Sequence, residues 1–170
     1  VGHLAYYFKN KDAIVDFLFE EHRISSQKIF QSYRIMPLFQ HVDSMLCDVY
    51  LLQEQFSFLY TDMLELLRAY PLLAVKYREH AAWQGVQISL MIDFQLARGA
   101  LLLPNYTTTP AFISTLFLHH LETWRYRQLL FTNGSFSFQQ FSTDIWHQLL
   151  PFCSALGLEE LQVEISGIVP

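Results

Sequence analysis

The sequence is poor in several things at once. It has two cysteines, Cys47 and Cys153, in 170 residues, which excludes a disulfide scaffold and a four-cysteine zinc module. Six glycines and six prolines exclude collagen-like and low-complexity architectures. Charged residues make up only 16% and hydrophobic residues 52%, a balance that excludes a disordered tail. There is no uninterrupted apolar run of about 20 residues, the length a membrane span needs. The uncharged stretch Gly99–Leu121 is broken by Pro104, Asn105, Thr107, Thr108, Thr109 and Pro110 and reads as a loop between two buried helices. Val1–Lys11 lacks the charged-then-apolar order of a signal peptide. With free cysteines, that predicts a cytoplasmic protein without membrane contact.

Strand signals are also missing. No Val/Ile/Thr alternation occurs, and Asn133-Gly134 lies between segments of helical period. What is present is helix punctuation, and it predicts an all-α bundle. A 20.0 kDa chain buries roughly 70% of its unfolded surface, enough for one core. Asn10 is placed to cap a helix from Lys11, with Asp12 in its first turn. Asp12, Asp16, Glu20, Arg23 and Gln27 recur at steps of three and four and predict a solvent stripe. Ile14, Phe17, Leu18 and Ile24 are then expected in the core. Met36-Pro37 breaks the chain. Helices are expected over about Leu38–Leu52 and Phe56–Ala69. Pro71 opens and Gly99 closes a long helix, about 28 residues or roughly 42 Å. Thr109-Pro110 starts another, to about Leu130. Ser137 with Gln140 forms a capping-box pattern for a last helix to Leu156, kinked at Pro151.

The last two of these helices are apolar on more than one face. That pattern predicts burial on most sides, against a deep core or against a second subunit. The expected homodimer contacts are Phe117, Leu121, Trp124, Trp146, Leu149 and Phe152.

Catalytic and metal signatures are absent. Seven histidines are scattered along the chain. His119 and Glu122, three apart, make half a metal site at most, and there is no H-E-x-x-H or C-x-x-C. The cysteines have no activating neighbour and read as buried, inert thiols. No strained G-x-S-x-G turn, paired carboxylate or glycine-rich phosphate loop is found. The expectation is a non-enzyme without cofactor or metal.

Sixteen acidic residues against eleven basic ones give a net charge of −5, unsuited to nucleic acid over the whole chain. The distribution is uneven, with Lys9 and Lys11 in a start free of acids and no Lys or Arg after Arg127. The run Gly2-x-Leu4-x-Tyr6-Tyr7-Phe8-Lys9-Asn10-Lys11, followed by an amphipathic helix, resembles the end of the DNA-binding domain of TetR-type (tetracycline-repressor family) regulators. Tyr7 stands where histidine is frequent in that family. Residues 56–78 are similar to the ligand-binding domain of one TetR branch, a weaker motif. The resemblance implies two parts, residues 1–10 as the remnant of a helix-turn-helix domain and 11–170 as a helical ligand-binding and dimerisation domain. It implies that the rest of the DNA-binding unit lies upstream. His3 would reach a base edge; Tyr6, Tyr7, Lys9 and Lys11 would meet phosphates of an operator duplex. Packing between helices is the other reading of the tyrosines, and Phe8 reads as core.

Twenty-seven aromatic residues (15 Phe, 9 Tyr and 3 Trp) exceed what a small core needs. Helical regulators of this type usually hold a cavity, and apolar cavities between helices take small ligands. The expected pocket draws on Phe58, Tyr60, His80, Trp83, Ile88, Met91, Phe94, Phe117, His120 and Trp124, for an apolar effector. The function so implied is a ligand-responsive DNA-binding repressor. The rival is a helical carrier for apolar molecules with no DNA role.

Overall fold

The computed structural model describes residues 8–35, 37–104, 107–132 and 136–164. Among them the chain is an all-α bundle without a named strand. The helices are α1 (Lys11–Ser32), α2 (Phe39–Gln55), α3 (Ser57–Thr61), α4 (Met63–Ala69), α5 (Pro71–Ala97), α6 (Pro110–Phe131), α7 (Phe138–Leu149) and α8 (Ala155–Glu164), with a 3-10 turn at Leu150–Phe152. No helix among the described residues is long and apolar enough to cross a membrane.

Capping side chains set three of the helix starts. The Asn10 side chain accepts from the Ala13 N–H at 2.9 Å. Thr109 accepts from Phe112 at 3.2 Å, and Ser137 from Gln140 at 3.3 Å. Each satisfies an N–H that a helix start leaves without an intrahelical partner. The far end of α5 closes through Gly99, whose φ of 77° lies in the left-handed region that favours glycine. There the Gly99 N–H bonds Leu96 O at 3.1 Å and the Ala100 N–H bonds Gln95 O at 3.0 Å, both bonds of a Schellman ending.

Two expected helices are shorter than their apolar spacing suggested. The segment 56–69 divides at Asp62, whose carboxylate takes the Thr61 hydroxyl at 2.8 Å. The last helix stops at Leu149 instead of kinking through Pro151, because proline cannot donate to the preceding turn. Its continuation is a separate helix, α8, and Leu156 is exposed there. This joint is held tightly. Leu102 N–H bonds Phe152 O at 2.7 Å and Ser154 N–H bonds Ala100 O at 3.0 Å. A Cβ on Gly157 would fall 2.3 Å from Ala100 O, so only glycine lets α8 lie on this peptide. Arg98 then clamps Glu160 through two bonds of 2.5 and 2.6 Å.

Two cores result. The larger lies between α2, α5, α6 and α7 around Phe39, Leu46, Ile88, Phe117, Trp124, Phe141, Ile145 and Trp146. Phe39 meets Trp146 with ring centroids 4.9 Å apart, and Trp124 meets Phe141 edge-on at 5.1 Å. Both indole N–H groups donate to carboxylates, Trp146 to Asp43 at 2.9 Å and Trp124 to Asp144 at 2.8 Å. Each fully buried side chain of this size stabilises the fold by roughly 1.5–3 kcal/mol. The smaller core gathers Phe19, Leu52, Phe56, Leu59 and Leu73 where α1, α2, α3 and α5 meet.

Two expectations about faces need correction. The buried line of α1 is Phe19, His22, Ser26 and Phe30, whereas Phe17 and Ile24 are 49% and 39% exposed. The wheel turned because two polar residues, His22 and Ser26, occupy core positions. The second correction concerns Phe117, Leu121, Trp124, Trp146, Leu149 and Phe152, which are all buried within a single chain. They fill its own core and present no surface to a partner.

Candidate functional site

The smaller core is not filled. Beside it lies a cavity of about 50 Å³ lined by His22 and Ser26 of α1, Val49, Leu52 and Gln53 of α2, Leu59 and Tyr60 of α3, Met63 of α4, Tyr77, His80 and Gln84 of α5, and Leu121 and Glu122 of α6. Its wall is more polar than expected. The polar members fall on helical steps that place them inward. His22 and Ser26 are one turn apart on the α1 line that carries Phe19 and Phe30. Tyr77, His80 and Gln84 follow at steps of three and four on α5.

The hydrogen bonding is incomplete. His22 Nε2 pairs with the Tyr60 hydroxyl at 2.7 Å. Gln53 donates its amide to Leu121 O at 2.7 Å, and Gln84 reaches the Ser26 hydroxyl at 3.4 Å. The Tyr77 hydroxyl lies near the Glu122 carboxyl and works to hold its pKa down. Four buried atoms of the lining have no hydrogen-bond partner among the described residues: His22 Nδ1, Gln53 Oε1 and both ring nitrogens of His80. Buried polar groups are normally satisfied, so a cluster of exceptions in one place requires an explanation.

Burial fixes the protonation states. It pushes His22 down to about 3, with a contribution from the facing His80. It pushes His80 down to about 4, aided by Arg23. Both imidazoles are therefore neutral at pH 7, each with one donor and one acceptor nitrogen. Burial raises Glu122, and Tyr77 opposes the rise. Burial likewise raises Tyr60 and Tyr77, which remain phenols. The two imidazoles meet edge-on at 5.7 Å, and Trp83 stacks behind His80 at 5.8 Å and 13°.

Of the ten residues expected to form a pocket, only Tyr60 and His80 line this cavity. Ile88, Phe117 and Trp124 belong to the larger core. Phe58 flanks the smaller core, and Trp83 backs His80. Met91 and Phe94 line a surface groove with Phe30 and Tyr33. His120 pairs with Gln148. The physical reason is the length of α5, 27 residues, which at 1.5 Å per residue places positions 80 and 94 about 21 Å apart. Six polar residues escaped the sequence reading: His22, Ser26, Gln53, Tyr77, Gln84 and Glu122. The signal for the first two was their place on the Phe19–Phe30 step.

The remaining candidates are placed as follows. Lys9 and Lys11 are exposed at the start of α1, and Phe8 is half-buried with its ring 5.4 Å from Phe17. His3, Tyr6 and Tyr7 lie outside the described residues. His119 is exposed and does not line the cavity that Glu122 lines. Among the described residues no group of three or more His, Cys, Asp or Glu is placed to hold a metal ion. Both cysteines are free and half-buried, and burial pushes the Cys153 thiol up to about 11. No family model, curated protein or solved structure matches the chain.

Proposed function

We propose that the chain is the effector-binding and dimerising body of a ligand-responsive transcriptional repressor of the TetR type. The observation that carries this reading is the incompletely bonded cavity whose wall is built partly by α1. That helix contributes His22 and Ser26 to the cavity and begins at Lys11. Eleven residues separate His22 from Lys11, about 16 Å along the axis. A ligand seated against His22 bears on α1 and re-aims its basic end. Lys9 and Lys11, which belong to the segment that resembles the end of a recognition helix, lie at that end.

The regulatory step is a population shift. Two recognition helices must enter successive major grooves about 34 Å apart. A ligand that prefers a body with a different spacing removes the protein from DNA, by no more than its differential affinity for the two states. The two-fold contact would run along the outward stripe of α6, where Phe112, His119, Tyr126 and Leu130 are exposed.

The test uses the protein together with its helix-turn-helix unit. It should select a two-fold symmetric duplex from random DNA, and Lys11→Ala should weaken that binding and lower the salt slope by about one unit. Binding with no sequence preference, or a Lys11→Ala variant with an unchanged salt slope, contradicts the assignment of this segment to DNA.

A further inference from the structure

We infer that the cavity takes the head group of a small organic cation bearing N–H donors: a primary ammonium, an amidinium or a guanidinium. The inference rests on the effector-site reading and adds the ligand's chemistry.

The first argument is the direction of the missing hydrogen bonds. Gln53 is 1% exposed and spends its amide N–H on Leu121 O, which leaves Oε1 as an unpartnered acceptor. Glu122 is an acceptor when ionised. His80 is 4% exposed, and its neutral ring brings one acceptor nitrogen and one N–H donor, both without a partner among the described residues. A neutral His22 adds a second acceptor nitrogen when Nε2 is the protonated nitrogen that meets Tyr60. Such a wall asks for a ligand that donates several hydrogen bonds from a compact centre. A neutral apolar ligand would leave the same acceptors unsatisfied.

The second argument is charge. Among the described residues Glu122 is the one carboxylate in the lining, and no Lys or Arg is part of it. Arg23, close enough to His80 to help depress its pKa, is paired with Glu20 at 2.8 Å, and Arg125 is paired with Glu54. An anionic ligand would face Glu122 with no compensating cation, whereas a cation completes an ion pair in a site of low dielectric. The phenol rings of Tyr60 and Tyr77 in the same lining attract a cation to their faces.

The third argument is size. About 50 Å³ is room for a few water-sized groups, at roughly 10–15 Å³ for each. The preformed space fits a head group of a few heavy atoms, and any longer substituent must part the helices that surround it. This links ligand size to movement of α1.

Thermal denaturation and calorimetric titration of the whole protein test the inference. The probes are methylammonium, n-butylammonium and guanidinium chlorides at low millimolar concentration. Tetramethylammonium chloride (the same charge without N–H), sodium acetate, toluene and sodium chloride are the controls. The N–H cations should bind saturably and raise the melting temperature, while the controls should not. Glu122→Gln keeps a polar neighbour for Tyr77 and should weaken binding at least tenfold. Gln53→Met should weaken it less, and both variants should melt near the wild type without ligand. Equal stabilisation by tetramethylammonium, acetate or toluene overturns the inference, as does binding unchanged in Glu122→Gln or no response to any N–H cation. The regulator reading fails separately: a cation that binds through Glu122 yet leaves DNA affinity unchanged retains the site and removes its role in transcription.

Discussion

Trp146 and His80 are both buried rings with nitrogen, on opposite sides of the bundle, and their nitrogens fare differently. Trp146 is fully buried and donates to Asp43 at 2.9 Å. His80 is 4% exposed and neither of its nitrogens has a hydrogen-bond partner. The region around Trp146 is packed aromatic against aromatic, with carboxylates brought in from α2 and α7 for the two indoles. The region around His80 leaves a void and four unpartnered atoms. Other unpartnered atoms occur at His120, Arg125, Gln128 and Gln148, but those residues do not line the cavity. The lesson is that the two indoles are fully packed and paired, whereas the unpartnered atoms around His80 sit beside a void, where a bound molecule could offset their cost. Polar groups left incomplete in this way mark functional sites more often than stabilising ones.

Acid should have the largest effect, and two of the three histidines responsible, His22 and His80, line the cavity. His22, His80 and His120 are held at about 3, 4 and 4 by burial, below the ordinary 6.5. The unfolded chain then binds more protons than the native one below pH 6.5, so stability is complete above that value and declines as the pH falls toward 4. Glu122 works the other way. Its raised value favours the native state at low pH and costs stability as the pH rises through it. The histidines outweigh it, at on the order of 1 kcal/mol per pH unit for each. Between pH 7 and 4.5 the loss should reach about 5 kcal/mol, comparable with the whole stability of a small domain. Denaturant midpoints measured across that range should fall steadily with pH.

Trp146→Ala comes next. It opens the packed region and leaves Asp43 without its indole donor. It should cost about 3–5 kcal/mol in chemical denaturation. A loss below 1 kcal/mol would mean that this region is no better packed than the other.

His80→Phe should act in the opposite direction. The ring contacts with Phe19 and Trp83 survive, and two unpartnered nitrogens disappear. The expected gain is about 1 kcal/mol at pH 7, with a shallower acid slope. A loss of 2 kcal/mol or more would show that His80 is satisfied in the native protein and would close the gap between the regions. The smallest effect belongs to the surface. Lys76 bridges Asp16 and Glu20 between α5 and α1 in a half-exposed position. Lys76→Ala should cost about 0.5 kcal/mol, less at high salt.

Helix existence was legible in the sequence because capping is local. Asn10, Thr109, Ser137, Pro71, Pro110 and Gly99 mark the ends where the backbone needs them. The division at Asp62 and the stop before Pro151 were not legible, since the apolar spacing continues across both. The site was mostly illegible. Tyr60 and His80 could be picked out as aromatic or titratable residues on helices of interest. His22, Gln53, Gln84 and Glu122 look like solvent-facing residues until the fold turns them inward. Which face of α1 is buried depends on α2 and α5, a tertiary fact that periodicity alone does not contain. The outward aromatic candidates failed for the complementary reason: Trp124 and Trp146 are apolar enough for an interface, and one chain already covers them.

The most direct test of the account is a proton titration of the histidine rings by NMR in the intact protein. If His80 lies unpartnered in the cavity, its Cε1 resonance should stay that of a neutral imidazole down to about pH 4, and His22 should stay neutral still lower. A His80 that titrates near 6.5 in the folded protein would mean that water already completes its bonding, and would contradict the cavity on which the functional reading depends.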